Sequence, residues 1–504
     1  MAAPMSWRRL IYSVYTPALT GVFARMTDRF FRTRDRRRGS SVLLLAPLLA
    51  EADPVPLAPR PPTPIGAEGL HSRFHWMADH VPAFRVPGTR VQILHSPDEF
   101  YQLMKARIRT AKKRVVMASL YLGTGPLEQD LVDCMQEALE CSQEGDGPPD
   151  LKVSILLDYT RGSRGKRNSR SMLLPLLQRF PQQMRVSLYH TPDLRGLLRR
   201  LVPERFNETI GVQHIKVYLF DNSLIISGAN LSDSYFTNRQ DRYVLLEDCP
   251  ALADFFSELV GAVGDVSLQL APDDSVAMME GMVHPYQGNR AEFSALARSR
   301  ILSVVSTAQA RQRLEEVESD SVGPASSDTW VFPLVQMKPL GIRLDEQVTE
   351  RLLTEAGDDA QVYLTSGYFN LTQAYMRLVL EAGARQFYSK VCQRGQQHRV
   401  QLHEYQRRDW TFHAKGLWYY LKGCDRPCLT LIGSPNFGYR SVHRDLEAQI
   451  AIVTENQDLQ TQLQREQEML YQRSTEVSSA TFSQSNRYVK LWVQLVTPLI
   501  KNFF

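Results

Sequence analysis

Cysteine is scarce and dispersed: Cys134, Cys141, Cys249, Cys392, Cys424 and Cys428 are the six thiols in 504 residues. A disulfide framework needs a dense set in a small chain, so this spread points to a reducing compartment. Cys424 and Cys428 stand close together, but no second Cys or His pair completes a four-ligand zinc site, and no metal is expected. Long apolar runs are also lacking. Val42 to Ala50 is short, and nothing reaches the roughly 18 uncharged apolar residues of a spanning helix, which leaves peripheral membrane contact. The net charge of +5 is too small over this length to argue for nucleic-acid binding. It suits an anionic membrane surface or phosphorylated substrates.

Acidic residues are missing from Met1 to Thr27, where Arg8, Arg9 and Arg25 are interleaved with Trp7, Leu10, Ile11, Tyr12, Val14 and Tyr15. A basic, amphipathic, acid-free segment reads as a mitochondrial presequence. Repeated prolines from Glu51 to Ala67 forbid regular structure, so residues 1–70 are expected to be presequence and linker.

What is present is a composition with 43% hydrophobic and 22% charged residues, that of a folded protein long enough for two substantial cores. Arg114 to Leu122, Leu151 to Asp158 and Arg185 to His190 read as strands, with a helix over Leu127 to Leu139. Their alternation predicts an α/β layered sheet. On an extended stretch from Gln213 to Asp221, His214 and Lys216 project from one side while Ile215, Val217 and Leu219 face an apolar layer. An imidazole beside a fixed ammonium suits attack on a phosphodiester, whose anionic oxygens repel a nucleophile until they are neutralised. Asn230 adds a neutral donor.

An isolated His-x-Lys pair is more often an ordinary strand histidine, but here it recurs as His413 and Lys415, followed by Asn436. The 11-residue step from Asn230 to Asp241 recurs from Asn436 to Glu447, with Arg239 and Arg444 just before the two carboxylates. Val362 to Phe369 repeats Val115 to Leu122 through matched Ser and Tyr positions, and a helix is expected over Leu371 to Leu380. The repeat is unequal. Ser119 to His214 spans 95 positions and Ser366 to His413 only 47, with no counterpart of Lys152 to Asp158. A parallel sheet that loses one strand and crossover exposes its neighbours' hydrogen-bonding edges.

These paired sets resemble the duplicated His-x-Lys-x4-Asp motifs of the phospholipase D superfamily. The wording from His214 to Arg242 and from Thr411 to Val453 is similar to the mitochondrial phosphatidylglycerophosphate synthase family, over nearly all the chain after about residue 70. The resemblance implies an α/β fold of two α/β/α sandwich halves, residues 71–271 and 329–504, joined by 272–328 and forming one active site, with a shortened second half. It implies His214 as nucleophile, His413 as acid and base, Lys216 and Lys415 as phosphate-neutralising cations, and Asn230 and Asn436 as donors. Asp241 and Glu447 would orient the imidazoles. Asp221 completes the first motif, whereas Tyr420 stands at its place in the second. No cofactor or metal is implied. The substrates implied are CDP-diacylglycerol and glycerol 3-phosphate, in phosphatidylglycerol and cardiolipin synthesis, by a protein held peripherally at the mitochondrial inner membrane. A phospholipase or nuclease using the same groups on water, and a catalytically impaired membrane-associated protein, remain the alternatives.

Three further stretches are candidates for substrate contact. Gly123, Thr124 and Gly125, with Ser119 before them, lack the Lys-Ser/Thr of an ATP loop, so no ATP site is expected at Ala118 to Gly125, yet the glycines would let amides approach a phosphate. Arg161, Arg164, Lys166, Arg167 and Arg170 follow a strand end, where α/β sheets bind ligands, although a solvated loop reads equally well. Leu194 to Val202, with Arg195, Arg199 and Arg200 among leucines, fits a membrane-surface helix or an ordinary surface one. The stretch Tyr488 to Phe504 is most simply a helix packed on the core, with a membrane foot as the alternative, and Pro498 would kink it.

Overall fold

The structure is a computed structural model that describes residues 8–12, 69–144, 150–319, 327–356, 360–367, 391–393, 395 and 400–482. Val42 to Ala50, the proline-rich linker, the helix expected over Leu371 to Leu380 and the stretch Tyr488 to Phe504 lie outside the described residues.

Strand β1 (Arg8–Tyr12) precedes the first half, which contributes β2 (Val91–Leu94), β3 (Arg114–Ala118), β4 (Lys152–Asp158), β5 (Met184–Tyr189), β6 (Val217–Phe220), β7 (Ser223–Ser227) and β8 (Tyr243–Leu246). The second half contributes β9 (Thr329–Met337), β10 (Ala360–Ser366), β11 (Val400–Tyr405), β12 (Gly416–Leu421), β13 (Leu429–Gly433) and β14 (Glu447–Thr454). Across the first sheet the order is β5-β4-β3-β6-β7-β8-β2, and across the second β11-β1-β10-β12-β13-β14-β9, with short edge strands beyond. The two orders correspond strand for strand.

That correspondence corrects the expectation of a sheet short of one strand. In the first sheet β4 lies parallel to both β3 and β5. In the second, the equivalent place is taken by β1, parallel to both neighbours, with Leu10 opposite Leu364 of β10 and Leu402 of β11. A slot between two parallel strands presents unpaired N–H and C=O groups on both sides, and an extended backbone of any source satisfies them. The five residues Arg8–Tyr12, expected to belong to a helical address segment, therefore form an inner strand of the second sheet. A second exchange joins the expected halves: Phe84–Val86, inside the first (residues 71–271), pairs antiparallel with Thr329 to Val331 of β9 in the second.

Five helices frame the sheets and the site: α1 (Pro126–Gln143), α2 (Gly196–Leu201), α3 (Pro250–Asp265), α4 (Arg290–Ser319) and α5 (Gln457–Gln472). In α3, Leu252, Phe255, Phe256, Leu259, Val260 and Val263 are all buried, an apolar face too wide for a surface helix. It lies between the sheets, where α4 and α5 join it in one core with Val116 and Leu219 from the first half and Val335 and Ile450 from the second. Separate apolar layers cover the outer faces of each sheet. α5 starts where the side chain of Asn456 accepts the Leu459 N–H at 2.9 Å, which satisfies an otherwise orphaned donor.

Arg242 fastens the halves. It is 1% exposed, and its guanidinium donates to Glu466 at 2.9 and 2.8 Å, to the Leu431 carbonyl at 2.7 Å and to Thr430 at 2.8 Å, all in the second half. Its plane also stacks 3.8 Å from the Trp418 ring centroid. The carboxylate and guanidinium are thus desolvated together and hydrogen-bonded to one another, and the guanidinium also to the backbone and Thr430 of the second half.

Candidate active site

Each motif enters the site ahead of a strand rather than on it. The ladder of β6 begins at Val217, so His214 and Lys216 sit in its extended lead-in. The Lys216 ammonium turns back to donate to the His214 carbonyl at 2.7 Å. The lead-in is fixed by the other half: the His214 N–H donates to the Leu446 carbonyl, and the Leu446 N–H to the Val212 carbonyl, both at 2.8 Å. The second motif mirrors this. Thr411 and Phe412 pair in parallel with Arg239 and Gln240, and the His413 N–H donates to the Gln240 carbonyl at 2.8 Å.

This backbone exchange delivers each imidazole to a carboxylate of the opposite half. His214 Nδ1 lies 3.0 and 2.9 Å from the Glu447 oxygens, and His413 Nδ1 lies 2.7 Å from Asp241 Oδ2. A carboxylate accepts only, so each Nδ1 carries the proton and each Nε2 presents its lone pair. Both histidines are buried, His214 at 8% exposure and His413 at 3%. Burial first, and then the neighbouring Lys216 or Lys415 charge, holds both imidazoles well below the usual histidine range. They are uncharged at neutral pH, as a nucleophile or base must be.

Two carboxylates and two ammonium groups share this dry pocket. Burial pushes Asp241 up to about 6, against the pull of Lys415, and raises Glu447. Burial likewise brings Lys415 down to about 8 and Lys216 well below the usual lysine range. The Lys415 ammonium lies 3.2 Å from His413 Nε2 and donates to its lone pair. The fit is close: a Cβ at Gly228 would stand 2.6 Å from Asp241 Oδ1 and 2.9 Å from the Lys415 ammonium, so only glycine passes there.

Asn230 and Asn436 are also in the cluster, each with a buried amide oxygen that has no partner. The Asn230 amide donates to the Tyr235 hydroxyl at 3.1 Å, and that hydroxyl stands 3.4 Å from His413 Nε2. On the other side, the Asn436 N–H donates to Ser441 at 2.9 Å, and Ser441 donates to Glu447 at 2.5 Å. Tyr235 and Ser441 were not singled out from the sequence. A signal was there, because each stands five residues after its asparagine.

Other predicted residues lie elsewhere. Asp221 closes the far end of β6, where its carboxylate accepts the N–H groups of Lys112, Lys113 and Arg114 at 2.8 to 3.2 Å. Burial alone would raise its pKa, but these donors hold it below the ordinary value. It serves a turn, and Tyr420, bonded to Gln467 at 3.1 Å within the inter-sheet core, costs the second motif no reacting group. Ser119 is fully buried and accepts the Leu231 N–H at 3.3 Å, so it ties the backbone together. The space that Gly123 and Gly125 leave on either side of Thr124 is filled by the Glu128 carboxylate of α1, which stands 2.7 Å from where a Cβ of Gly125 would be and nearer still to that of Gly123. An acid in that loop repels a phosphate. Arg161 and Arg164 pair with Glu208 at 3.5 and 2.5 Å, and Lys166 and Arg167 face solvent.

His214, Asp445 and Glu447 have donor atoms within 4.8 Å of one another, the spacing of a cation site. Their capacity is already used: Asp445 pairs with Arg440 at 3.1 Å and accepts the Val212 N–H at 3.0 Å, while Glu447 holds His214 and Ser441. The arrangement is a hydrogen-bonded relay around the imidazole.

No protein-family model matches the chain. It is 60% identical, over 100% of its length and 99% of theirs, to the mitochondrial CDP-diacylglycerol–glycerol-3-phosphate 3-phosphatidyltransferases of Bos taurus and Homo sapiens. The chain belongs to this family. The alignment to the bovine transferase extends over 551 positions against 504 residues. Among solved structures, the phosphatidylserine synthase of Haemophilus influenzae superposes with a TM-score of 0.61, covering 86% of this chain and 99% of its own at 18% identity. That likeness speaks for the fold alone.

Proposed function

We propose that this chain transfers a phosphatidyl group from CDP-diacylglycerol to glycerol 3-phosphate, giving phosphatidylglycerophosphate and CMP, through a covalent intermediate on His214. The crosswise pairing of His214 with Glu447 and of His413 with Asp241 carries the proposal, because it sets two uncharged imidazoles beside two ammonium groups. His214 Nε2 meets no hydrogen-bond partner among the described residues, whereas His413 Nε2 faces the Tyr235 hydroxyl. The first is the freer nucleophile.

In the first step the Nε2 lone pair forms a P–N bond to the lipid phosphorus, and the P–O bond to CMP breaks with its electron pair. That leaving oxygen belongs to a phosphate and departs as an anion, so the uncharged resting form of His413 suits the step without giving up a proton. In the second step His413 takes the proton from an acceptor hydroxyl, whose oxygen attacks phosphorus while the P–N electrons return to His214. Lys216 and Lys415 neutralise the phosphate oxygens, and Glu447 and Asp241 hold each Nδ1 proton in place. No cofactor enters either step. Product analysis with labelled CDP-diacylglycerol tests the reading: phosphatidylglycerophosphate should form only when glycerol 3-phosphate is present. Equal release of phosphatidic acid with and without acceptor would favour a hydrolase, and no turnover an impaired protein.

Peripheral attachment to the mitochondrial inner membrane belongs to the same proposal. No helix among the described residues is long and apolar enough to cross a membrane. α2 turns Leu197, Leu198 and Leu201 outward at 70%, 43% and 69% exposure, beside Arg195, Arg199 and Arg200. Such a patch suits an anionic lipid surface, with leucines in the headgroup boundary and arginines at the phosphates. Leu197→Asp with Leu201→Asp should reduce co-sedimentation with phosphatidylcholine vesicles containing phosphatidylglycerol by about tenfold. Unchanged sedimentation would refute this contact.

A further inference from the structure

The two halves bring equivalent turns to the two histidines, and the turns are not used alike. After Asn230 the chain makes the one-turn helix Asp233–Thr237, and after Asn436 the one-turn helix Tyr439–His443. Each carries one buried hydroxyl side chain five residues beyond its asparagine, Tyr235 in the first and Ser441 in the second. Ser441 donates to Glu447 at 2.5 Å and stops at the carboxylate. Tyr235 is longer and reaches the imidazole itself: its hydroxyl stands 3.4 Å from His413 Nε2.

The surroundings fix the phenol at that place. The Asp233 N–H donates to the Glu128 carboxylate at 2.7 Å, the Ser232 and Tyr121 hydroxyls are bonded at 3.0 Å, and the Phe236 ring packs 4.7 Å from that of Tyr101. The Tyr235 ring meets the His413 ring edge-on at 5.2 Å, the Arg239 guanidinium lies 4.7 Å from its centroid, and the Asn230 amide donates to its oxygen at 3.1 Å. With that amide on a lone pair, the phenol keeps its own proton to offer to Nε2. An imidazole attacks phosphorus from about 3 to 3.5 Å, and the phenol oxygen already stands at that distance. The other donor at Nε2, the Lys415 ammonium at 3.2 Å, is drawn to the phosphate oxygens once a substrate is bound. The phenol then remains as the neutral donor.

We propose that Tyr235 divides the roles of the two histidines: its hydroxyl shields His413 Nε2 from the donor phosphorus, so that the phosphatidyl group is loaded on His214 alone, and it yields to the acceptor hydroxyl in the second step. The inference rests on the two-step transfer proposed above and deepens it. With two near-equivalent halves, either uncharged imidazole has the chemistry to form the P–N bond. Phosphorus arrives with its oxygens and a lipid chain and does not fit where the phenol oxygen stands. An alcohol needs room for one hydrogen bond, displaces a contact this long, and passes its proton to Nε2. The imidazolium N–H then donates to the phenol oxygen, since a hydroxyl accepts as well as donates, and Tyr235 ends the cycle unchanged. It is a positioning residue that acts through His413.

The test follows label in full-length wild type, Tyr235→Phe, His214→Ala and the double variant, each mixed with CDP-diacylglycerol labelled in the phosphatidyl group, quenched in denaturant and mapped by mass spectrometry. Phenylalanine keeps the ring and removes only the hydroxyl, and melting temperatures check each fold. Tyr235→Phe should raise the share of label on the His413 peptide by about tenfold or more. His214→Ala should carry no label, whereas His214→Ala combined with Tyr235→Phe should gain it on His413, with a burst of about one CMP per enzyme and no transfer, because no second base remains. A merely structural loss lowers all labelling and creates none on His413. No gain on His413 in either folded variant would overturn the proposal. If Tyr235→Phe fails to fold, Tyr235→Met, which also lacks the hydroxyl and fills irregular space, takes its place under the same criterion. A wild type labelled on His413, or one that makes no phosphatidylglycerophosphate, would fail the transfer reading itself, before any variant is compared.

Discussion

Replacing Leu10 by proline attacks the second sheet where it is unusual. Leu10 is the middle residue of β1 and stands opposite Leu364 and Leu402 at once. Proline removes the N–H that this position offers to one neighbour and sets a ring against it. An unsatisfied inner carbonyl costs about 1 to 3 kcal/mol, and with the steric displacement a total on the order of 3 kcal/mol is expected. That converts to about a hundredfold in a local opening equilibrium. Amide hydrogen exchange in Val362–Ser366 and Val400–Tyr405 should therefore quicken by about two orders of magnitude, while exchange in β4 of the first half stays as it was.

The effect should reach catalysis, because β10 supports the second histidine. Thr365 donates to the Ala414 carbonyl at 3.3 Å, and a Cβ on Gly367 would stand 3.1 Å from the His413 Cα. A shift of about 1 Å there costs on the order of a hundredfold in rate. Leu10→Ile, which keeps the backbone intact, is the control. From sequence alone, removing residues 1 to about 35 should spare activity in detergent. The sheet predicts that the same truncation loses it. Full activity and unchanged exchange in either Leu10→Pro or the truncation would refute the reasoning.

Arg242→Met should cost about 3 to 5 kcal/mol of stability, since it leaves Glu466 buried and uncompensated; the shift in denaturant midpoint reads it, and a shift below about 1 kcal/mol would contradict the pinning role. Glu447→Gln should keep the fold and lower kcat by a hundredfold or more, because the Nδ1 proton of His214 loses its charged acceptor; steady-state rates beside an unchanged melting temperature check it. The pH profile follows from two shifted groups. Asp241 is pushed up to about 6, so the charged partner of His413 is present above that pH and lost as pH falls through it. Lys415 is brought down to about 8, so its cation is present below that pH and lost as pH rises through it. A bell-shaped kcat/KM with limbs near those values is expected, and a flat profile would contradict the assignment.

The members of the buried cluster were legible in the sequence because a duplicated spacing is a local pattern: His214 with Lys216, His413 with Lys415, and the matched steps to Asp241 and Glu447. Their crosswise pairing was not. Which carboxylate meets which imidazole is decided by the backbone exchange of Leu446 with Val212 and His214, a contact between residues over two hundred positions apart. Ser119 and the glycines of the first half misled because a Gly-rich turn before a helix suits a phosphate and a buried glutamate alike, and only the position of Glu128 separates them. The origin of β1 was equally hidden. An extended strand of five residues pairs through its backbone, which no side-chain pattern announces, so a segment read as an address supplies the strand that the spacing declared missing.

Acid-quenched enzyme that has turned over labelled CDP-diacylglycerol, digested and mapped by mass spectrometry, tests the central claim most directly. A phosphatidyl group is expected on the peptide carrying His214, absent from His214→Ala and discharged by glycerol 3-phosphate. Label on His413, or full transfer activity in His214→Ala, would contradict it.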